Sequence, residues 1–280
     1  MGLRQISQSH LTLLDYCPRK FQHIYLEQLS SPPSFQEQVA LKRGSDLHYL
    51  MQQQELQLLP MVDPLPQSWS GETVRLYQMA QSLAAVIPTP MDSTRFRQSE
   101  YRLHYQFAGV LLTVVYDLLV LNDEGAYIFD WKTYSRPPDQ ADLVTHWQTR
   151  LYPFVLAATS DYAATDITLS YWFIQPPQPM SGTLVGEVGQ PDGQPDCIRF
   201  EYGDRLHHQI HHALSQTLGH LQQWLADYDN GQPFPQTDQI QDRCRHCAFA
   251  LRCGRSHPAV PDPWVDLEDI GAIEEIPLPD

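Results

Sequence analysis

The stretch from Phe107 to Thr133, FAGVLLTVVYDLLVLNDEGAYIFDWKT, constrains the fold more than any other part of the chain. Two apolar runs rich in β-branched and aromatic residues flank a short polar turn, Asn122-Asp123-Glu124-Gly125. That pattern predicts a β-hairpin. Each arm carries one acid, Asp117 in the first and Asp130 in the second. If Asn122 pairs with Gly125 around a two-residue turn, counting back along the ladder sets Asp117 opposite Asp130. Moving the turn to Glu124-Gly125 sets Asp117 opposite Lys132 instead. In both registers Asp117, Asp130 and Lys132 share one face, because side chains alternate with period two; an odd-length loop would break the alignment. Val110–Leu121 is apolar almost throughout, which predicts a strand buried on both faces. An acid inside such a run needs a partner.

Two carboxylates facing each other across a ladder repel unless a positive charge lies between them. A divalent cation answers that need, and magnesium takes one or two carboxylates together with phosphate oxygens and water. Lys132 beside such a metal could position or deprotonate a water for attack on phosphorus. The competing reading is a surface hairpin with an ordinary Asp–Lys pair, which the apolar surroundings of Asp117 disfavour.

Asp117 followed by Asp130-Trp131-Lys132-Thr133 resembles the core of the PD-(D/E)XK nucleases, specifically the RecB-like and CRISPR-associated exonuclease branch that carries an iron–sulfur cluster. The resemblance implies an α/β fold with an αβββαβ core, a mixed central sheet flanked by helices. It also implies a metal-dependent DNA exonuclease acting on single-stranded ends in repair, recombination or CRISPR adaptation. By the same resemblance His48, Asp117, Asp130 and the Trp131 carbonyl hold magnesium or manganese. Lys132 orients the water, and Gln148 and Tyr152, four residues apart on one helix face, place the strand. His48 lies in Arg43-Gly44-Ser45-Asp46-Leu47-His48, matching the Gly-x-x-x-His of the family, and Gly44 is expected to let its helix approach another backbone. Glu100 is expected behind the metal ligands, not on the metal. One departure is Val114, where relatives often have glycine. It would narrow the space beside the metal and keeps open a nuclease-like module that binds nucleic acid or a partner with little or no cleavage.

Taken in order, residues 7–29 read as helix broken at Cys17, with Pro18 opening a second segment at its first turn. Residues 35–59 and 72–86 read as helices, and about 50–97 as a helical insertion. Gln98–Gln106 alternates as a strand. Residues 142–159 form the next helix, with a kink expected at Pro153. Strands follow at 167–174, 183–188 and 197–202. A helix over 204–228 takes Asp204 as its N-cap. Its histidines at 207, 208, 211 and 212 read as a solvated or partner-facing surface.

Cys244-x-x-Cys247 followed by Cys253 is a compact set of thiolate ligands, suited to zinc or to iron–sulfur clusters. The resemblance supplies Cys17, in Tyr16-Cys17-Pro18-Arg19-Lys20-Phe21, as the fourth ligand of a 4Fe–4S cluster, with zinc as the alternative and Cys197 as the spare. Five cysteines without a secretory pattern at the N-terminus point to a reducing, cytoplasmic setting. No apolar run is long enough to span a membrane. The net charge of −15 argues against a general nucleic-acid coat. Residues 261–280 hold seven acids and no Lys or Arg. The acidic tail, 259–280, is therefore expected to shield a basic groove or meet a partner protein, and a zinc-stapled interaction protein is a third reading. The domain reading is a nuclease domain over 1–258, with its cysteine segment at 242–255, and then this tail.

Overall fold

The computed structural model describes residues 5–29, 32–58, 65–87, 94–133, 140–174 and 195–255. A short strand, β1 (Gln5–Ile6), leads into α1 (Gln8–Tyr16). Cys17 is extended and separates α1 from α2 (Pro18–Phe21), whose first residue is the proline. Proline fits there because a first-turn N–H has no intrahelical acceptor to lose. The turn then widens into a π segment, Gln22–Leu26. Next come α3 (Phe35–Glu55) and α4 (Gly71–Val86). Ser34 opens α3 with a capping box, accepting from the Glu37 N–H while Glu37 reaches back to the Ser34 N–H.

Three strands follow: β2 (Thr94–Phe107), β3 (Val110–Asn122) and β4 (Ala126–Lys132). The β2–β3 turn is Ala108-Gly109, both at positive φ, the twist that a two-residue hairpin requires. The β3–β4 turn has the first of the two expected registers. Leu121 faces Ala126, and the Asn122 N–H donates to the Gly125 carbonyl at 3.0 Å. Gly125 has a steric reason to be glycine, because a Cβ there would stand 2.6 Å from the Asp166 carbonyl oxygen. The rest is α5 (Gln140–Thr145), α6 (Trp147–Thr159), β5 (Ile167–Phe173), β6 (Asp196–Glu201), α7 (Asp204–Asp229) and the short α8 (Ile240–Arg243).

The sheet runs β1-β3-β4-β5-β6, with β2 along the other edge of β3. It is mixed: β1 lies parallel to β3 and β4 parallel to β5, while the hairpins are antiparallel. Two cores cover its faces. The larger gathers Leu11, Tyr116, Ile128, Leu151, Phe154 and Leu214, from α1, α6, α7 and the strands. The second packs Leu47 and Met51 of α3 and Met79 and Leu83 of α4 against Leu118, Phe129 and Trp131. Burying side chains of this kind contributes about 2–3 kcal/mol each. The expected insertion is thus half of a structural layer, since α4 helps to close the second face.

Four expectations need correction. The helix expected over 142–159 is split, because His146 is extended and caps α6. Gly203, not Asp204, stands at the N-cap of α7, and Asp204 is its first residue; there its charge still favours the positive helix end. Among the described residues a Cβ on Gly44 would meet nothing within 4 Å, so α3 makes no close approach to them at that position. The helix at 35–59 ends at Glu55. The strand expected at 183–188 and the acidic tail at 259–280 lie outside the described residues. Among those residues no helix is long and apolar enough to cross a membrane.

Candidate active site

A fork in the sheet creates the site. One edge of β3 is shared: β1 pairs with Leu111–Leu112, and β4 pairs only with Leu118–Leu121. Beyond Leu118 the two arms of the β3–β4 hairpin separate. Asp130, Trp131 and Lys132 stay paired with β5 but leave β3. Asp117 stands at the mouth of that fork. The Trp131 N–H, released from the ladder, donates to Asp117 Oδ2 at 2.6 Å. The Trp131 ring itself is buried in the second core.

The other edge of β3 is also interrupted here. Ser99 faces Leu118 and Tyr101 faces Tyr116, but Glu100, between them, has φ of 50°. A non-glycine residue in that region is uncommon and costs on the order of 1 kcal/mol. The turn lets Glu100 face the same space as Asp117. α3 passes over it and lowers His48 into contact: His48 Nδ1 is 3.4 Å from Glu100 Oε1 and 3.4 Å from Asp117 Oδ1. These three residues each offer one atom, all within 4.8 Å of one another, the compactness a metal site needs.

Asp130 and Lys132 form the second half. Lys132 Nζ is 2.6 Å from Asp130 Oδ1 and donates to Gln148 Oε1 at 2.9 Å. The Gln148 amide nitrogen donates to Asp130 Oδ2. One glutamine on α6 thereby holds both members of the Asp–Lys pair. Asp117 is 3% exposed and Asp130 1%, so little water reaches either charge.

The electrostatics record this crowding. Burial first, and then the Asp130 charge, lift the Asp117 carboxyl well above the usual range, against His48 and Lys132, which pull it down. For His48, burial acts to lower the pKa, but Asp117, Glu100 and Asp130 together outweigh it and raise the value to about 9. A proton on His48 thus sits where a cation would serve the same carboxylates. An oxygen-rich set with one imidazole fits magnesium or manganese.

The fork therefore brings together His48, Glu100, Asp117, Asp130, Lys132 and Gln148. Tyr152 is placed differently. It is 1% exposed in the larger core, its ring edge-on to Tyr116 and its carbonyl accepting from the Tyr116 hydroxyl. Val114 also lies in that core, opposite Leu103. Glu100 was under-read in the sequence. A two-residue turn at Ala108-Gly109, continued down the ladder, already sets Glu100 opposite Asp117.

From the two ends of the chain, Cys17 and then Cys244, Cys247 and Cys253 come to line one small cavity with Lys20, Arg243 and Arg255. Cys197 is on β6, opposite Trp172, and does not line it. Burial raises the Cys253 thiol, the neighbouring Cys247, Cys17 and Cys244 add to that, and Arg19 opposes it. Buried His23 approaches Cys253, Nε2 to Sγ 3.6 Å, and Arg255 points a guanidinium nitrogen at Cys244 Sγ from 3.6 Å. Sequence reading missed His23; its signal is a histidine one helical stretch after the Cys-Pro pair.

A family model described as the PD-(D/E)XK nuclease superfamily matches residues 5–254. No curated protein matches the chain.

Proposed function

The chain belongs to the PD-(D/E)XK nuclease superfamily, and from that membership we propose that it is a metal-dependent exonuclease hydrolysing phosphodiester bonds at single-stranded DNA ends. The observation that carries the reading is the fork, where Asp117 and Asp130 are buried beside a His48–Glu100 pair and a Lys132–Gln148 pair. In this proposal His48, Asp117 and Asp130, with the Trp131 carbonyl, hold magnesium or manganese. Glu100 joins them as a ligand, because it lies as close to His48 as Asp117 does. A bound cation neutralises the carboxylates and polarises the scissile phosphate.

The chain's own residues supply the positioning. Lys132 donates hydrogen bonds from a fixed point, since Asp130 and Gln148 hold its ammonium; it orients the attacking water and does not need to take its proton. Gln148 keeps Lys132 and Asp130 in register. Tyr152 braces the floor from within the core. Gly44, four residues before His48 on α3, has open space beside it, and this leaves room for the strand.

The cysteine cavity is proposed to hold a 4Fe–4S cluster through Cys17, Cys244, Cys247 and Cys253. Lys20, Arg243 and Arg255 line the same cavity and would balance the thiolate charge. The cluster's part is structural, joining the chain's N-terminal helices to its last described segment. Recombinational repair and CRISPR spacer acquisition both suit such an activity, with a partner protein at the acidic tail.

The test is incubation of the purified protein with end-labelled single-stranded DNA, with and without manganese. Progressive shortening from one end that depends on manganese is the expected result. Intact DNA under both conditions overturns the proposal and leaves a nuclease-like binding module.

A further inference from the structure

Two elements run from the candidate active site into a second cleft. Along α3, His48 is followed one turn later by Gln52 and then by Glu55. Along β2, Glu100 is preceded by Ser99, Gln98 and Arg97. All of these except His48 and Glu100 line one cleft of about 610 Å³. Its size is that of a small-molecule pocket, which spans roughly 300–1,000 Å³.

The chemistry of the walls narrows the occupant. Carboxamides dominate: Gln52, Gln57 and Gln98 line the cleft, as does Gln54, whose buried Oε1 has no hydrogen-bond partner among the described residues. Leu56 and Ile87 supply apolar surface. The two charged residues cancel, since Arg97 grips Glu55 with two hydrogen bonds, 2.7 Å from Nε and 2.6 Å from a terminal nitrogen. A phosphate or a carboxylate finds no free cation among these walls. A flat, uncharged group with donors and acceptors on its edge suits them, and glutamine amides pair bidentately with such edges.

Distance supplies the second constraint. Four residues of helix advance about 6 Å and two residues of strand about 7 Å. A phosphate at the His48–Glu100–Asp117 group therefore has the cleft within about one nucleotide. We propose that the cleft is a nucleobase subsite, which takes the base next to the scissile phosphate and reads its edge through Gln52 and Gln98. The inference rests on the nuclease reading for which phosphate is cut, but not for the binding itself.

The experiment measures binding of fluorescent single-stranded oligonucleotides to the full chain in EDTA, where metal-dependent cleavage is absent. An abasic site is placed at each position from the end in turn. One position should weaken binding of the wild-type protein about tenfold, the worth of one good amide–base pairing. In Gln52→Leu/Gln98→Leu that penalty should vanish. Gln98→Glu keeps the side chain's shape but only accepts hydrogen bonds, so it should shift preference at the same position from adenine toward cytosine. If the double variant does not fold, the unchanged base preference of Gln98→Glu alone overturns the subsite. Equal binding of every abasic oligonucleotide also overturns it, even if manganese-dependent cleavage proceeds. A position-specific penalty in EDTA, with the DNA left intact once manganese is supplied, sustains the subsite and removes the nuclease reading.

Discussion

The fork and the cysteine cavity are both polar sites at breaks in regular structure, but they are held by different means. At the fork every functional side chain comes from a strand or long helix that is packed independently: β2, β3 and β4 by their ladders, α3 and α6 by the two cores. At the cavity the scaffold consists of turns and short helices tied by individual hydrogen bonds. The Tyr16 hydroxyl donates to the Arg243 carbonyl, and Arg243 donates to the carbonyls of Asp15 and Tyr16. Arg19 donates to the Phe234 carbonyl, and the Phe234 N–H donates to Gln22. Each such bond contributes only about 1 kcal/mol. The fork should therefore keep its shape without its cation, whereas the cavity should depend on whatever its thiolates bind.

Breaking the fork chemically is expected to have the largest effect. Asp130→Ala and Lys132→Ala should each lower cleavage of end-labelled DNA at least 100-fold, in the range of a lost acid–base or positioning group. Asp130→Ala should keep or raise the melting temperature of the metal-free protein, because it removes a charge that repels buried Asp117. A large drop in melting temperature would show that the pair is structural.

The opposite outcome is expected at the cavity. Protein purified without oxygen should be brown with about four irons per chain. Cys17→Ala should bleach it and lower the melting temperature by several degrees, while Cys197→Ala should do neither. Metal–thiolate binding can supply on the order of 10 kcal/mol, which is comparable to the whole stability of a domain. Stoichiometric zinc in a colourless protein would keep the staple and replace the cluster.

A smaller effect sharpens the fork's electrostatics. The folded pKa of His48, about 9, lies above its ordinary value near 6.5. Its stabilising contribution is then complete below pH 6.5 and is lost as pH rises through 9. The metal-free protein should lose melting temperature across that window. His48→Gln should flatten the decline, and so should magnesium, which takes the place of the proton. A parallel decline in His48→Gln would assign it to another group.

The smallest expected effect is that of Gly44→Ala. With open space at the Cβ, it should stabilise α3 by about 0.5–1 kcal/mol. If thermal unfolding shows that gain while cleavage falls, the space beside Gly44 belongs to the substrate. Unchanged cleavage would leave the glycine without a part in binding.

Much of this was legible before any coordinates. Turn chemistry and period-two alternation narrowed the hairpin to two registers that both put Asp117, Asp130 and Lys132 on one face, and the structure has the Asn122–Gly125 one. The break at Cys17 followed from the missing N–H of Pro18. The acid in each arm of the hairpin marked the site because an apolar run does not carry a carboxylate without cause. What escaped the reading has a common origin. The cover that α4 gives the second face, the core position of Tyr152 and the open flank of Gly44 depend on which element packs where, and helical periodicity does not specify the partner. The split at His146 is local, yet it follows from the start that α6 needs to carry Gln148 to Asp130.

The sequence by itself determined the long hairpin strands and the identity of the charged residues, because those depend on local sterics and on the periods of helix and strand; the short β1 and the first residues of β2, from Thr94, were not legible in it. Only the tertiary structure decided that β4 parts from β3 at Asp117, that Glu100 turns at positive φ into the same space, and that α3 sets His48 across both. A ladder counted from its turn has no term for where it stops. It stops here because β1 takes the shared edge of β3 while β5 keeps hold of β4, and that competition is settled between segments far apart in the chain.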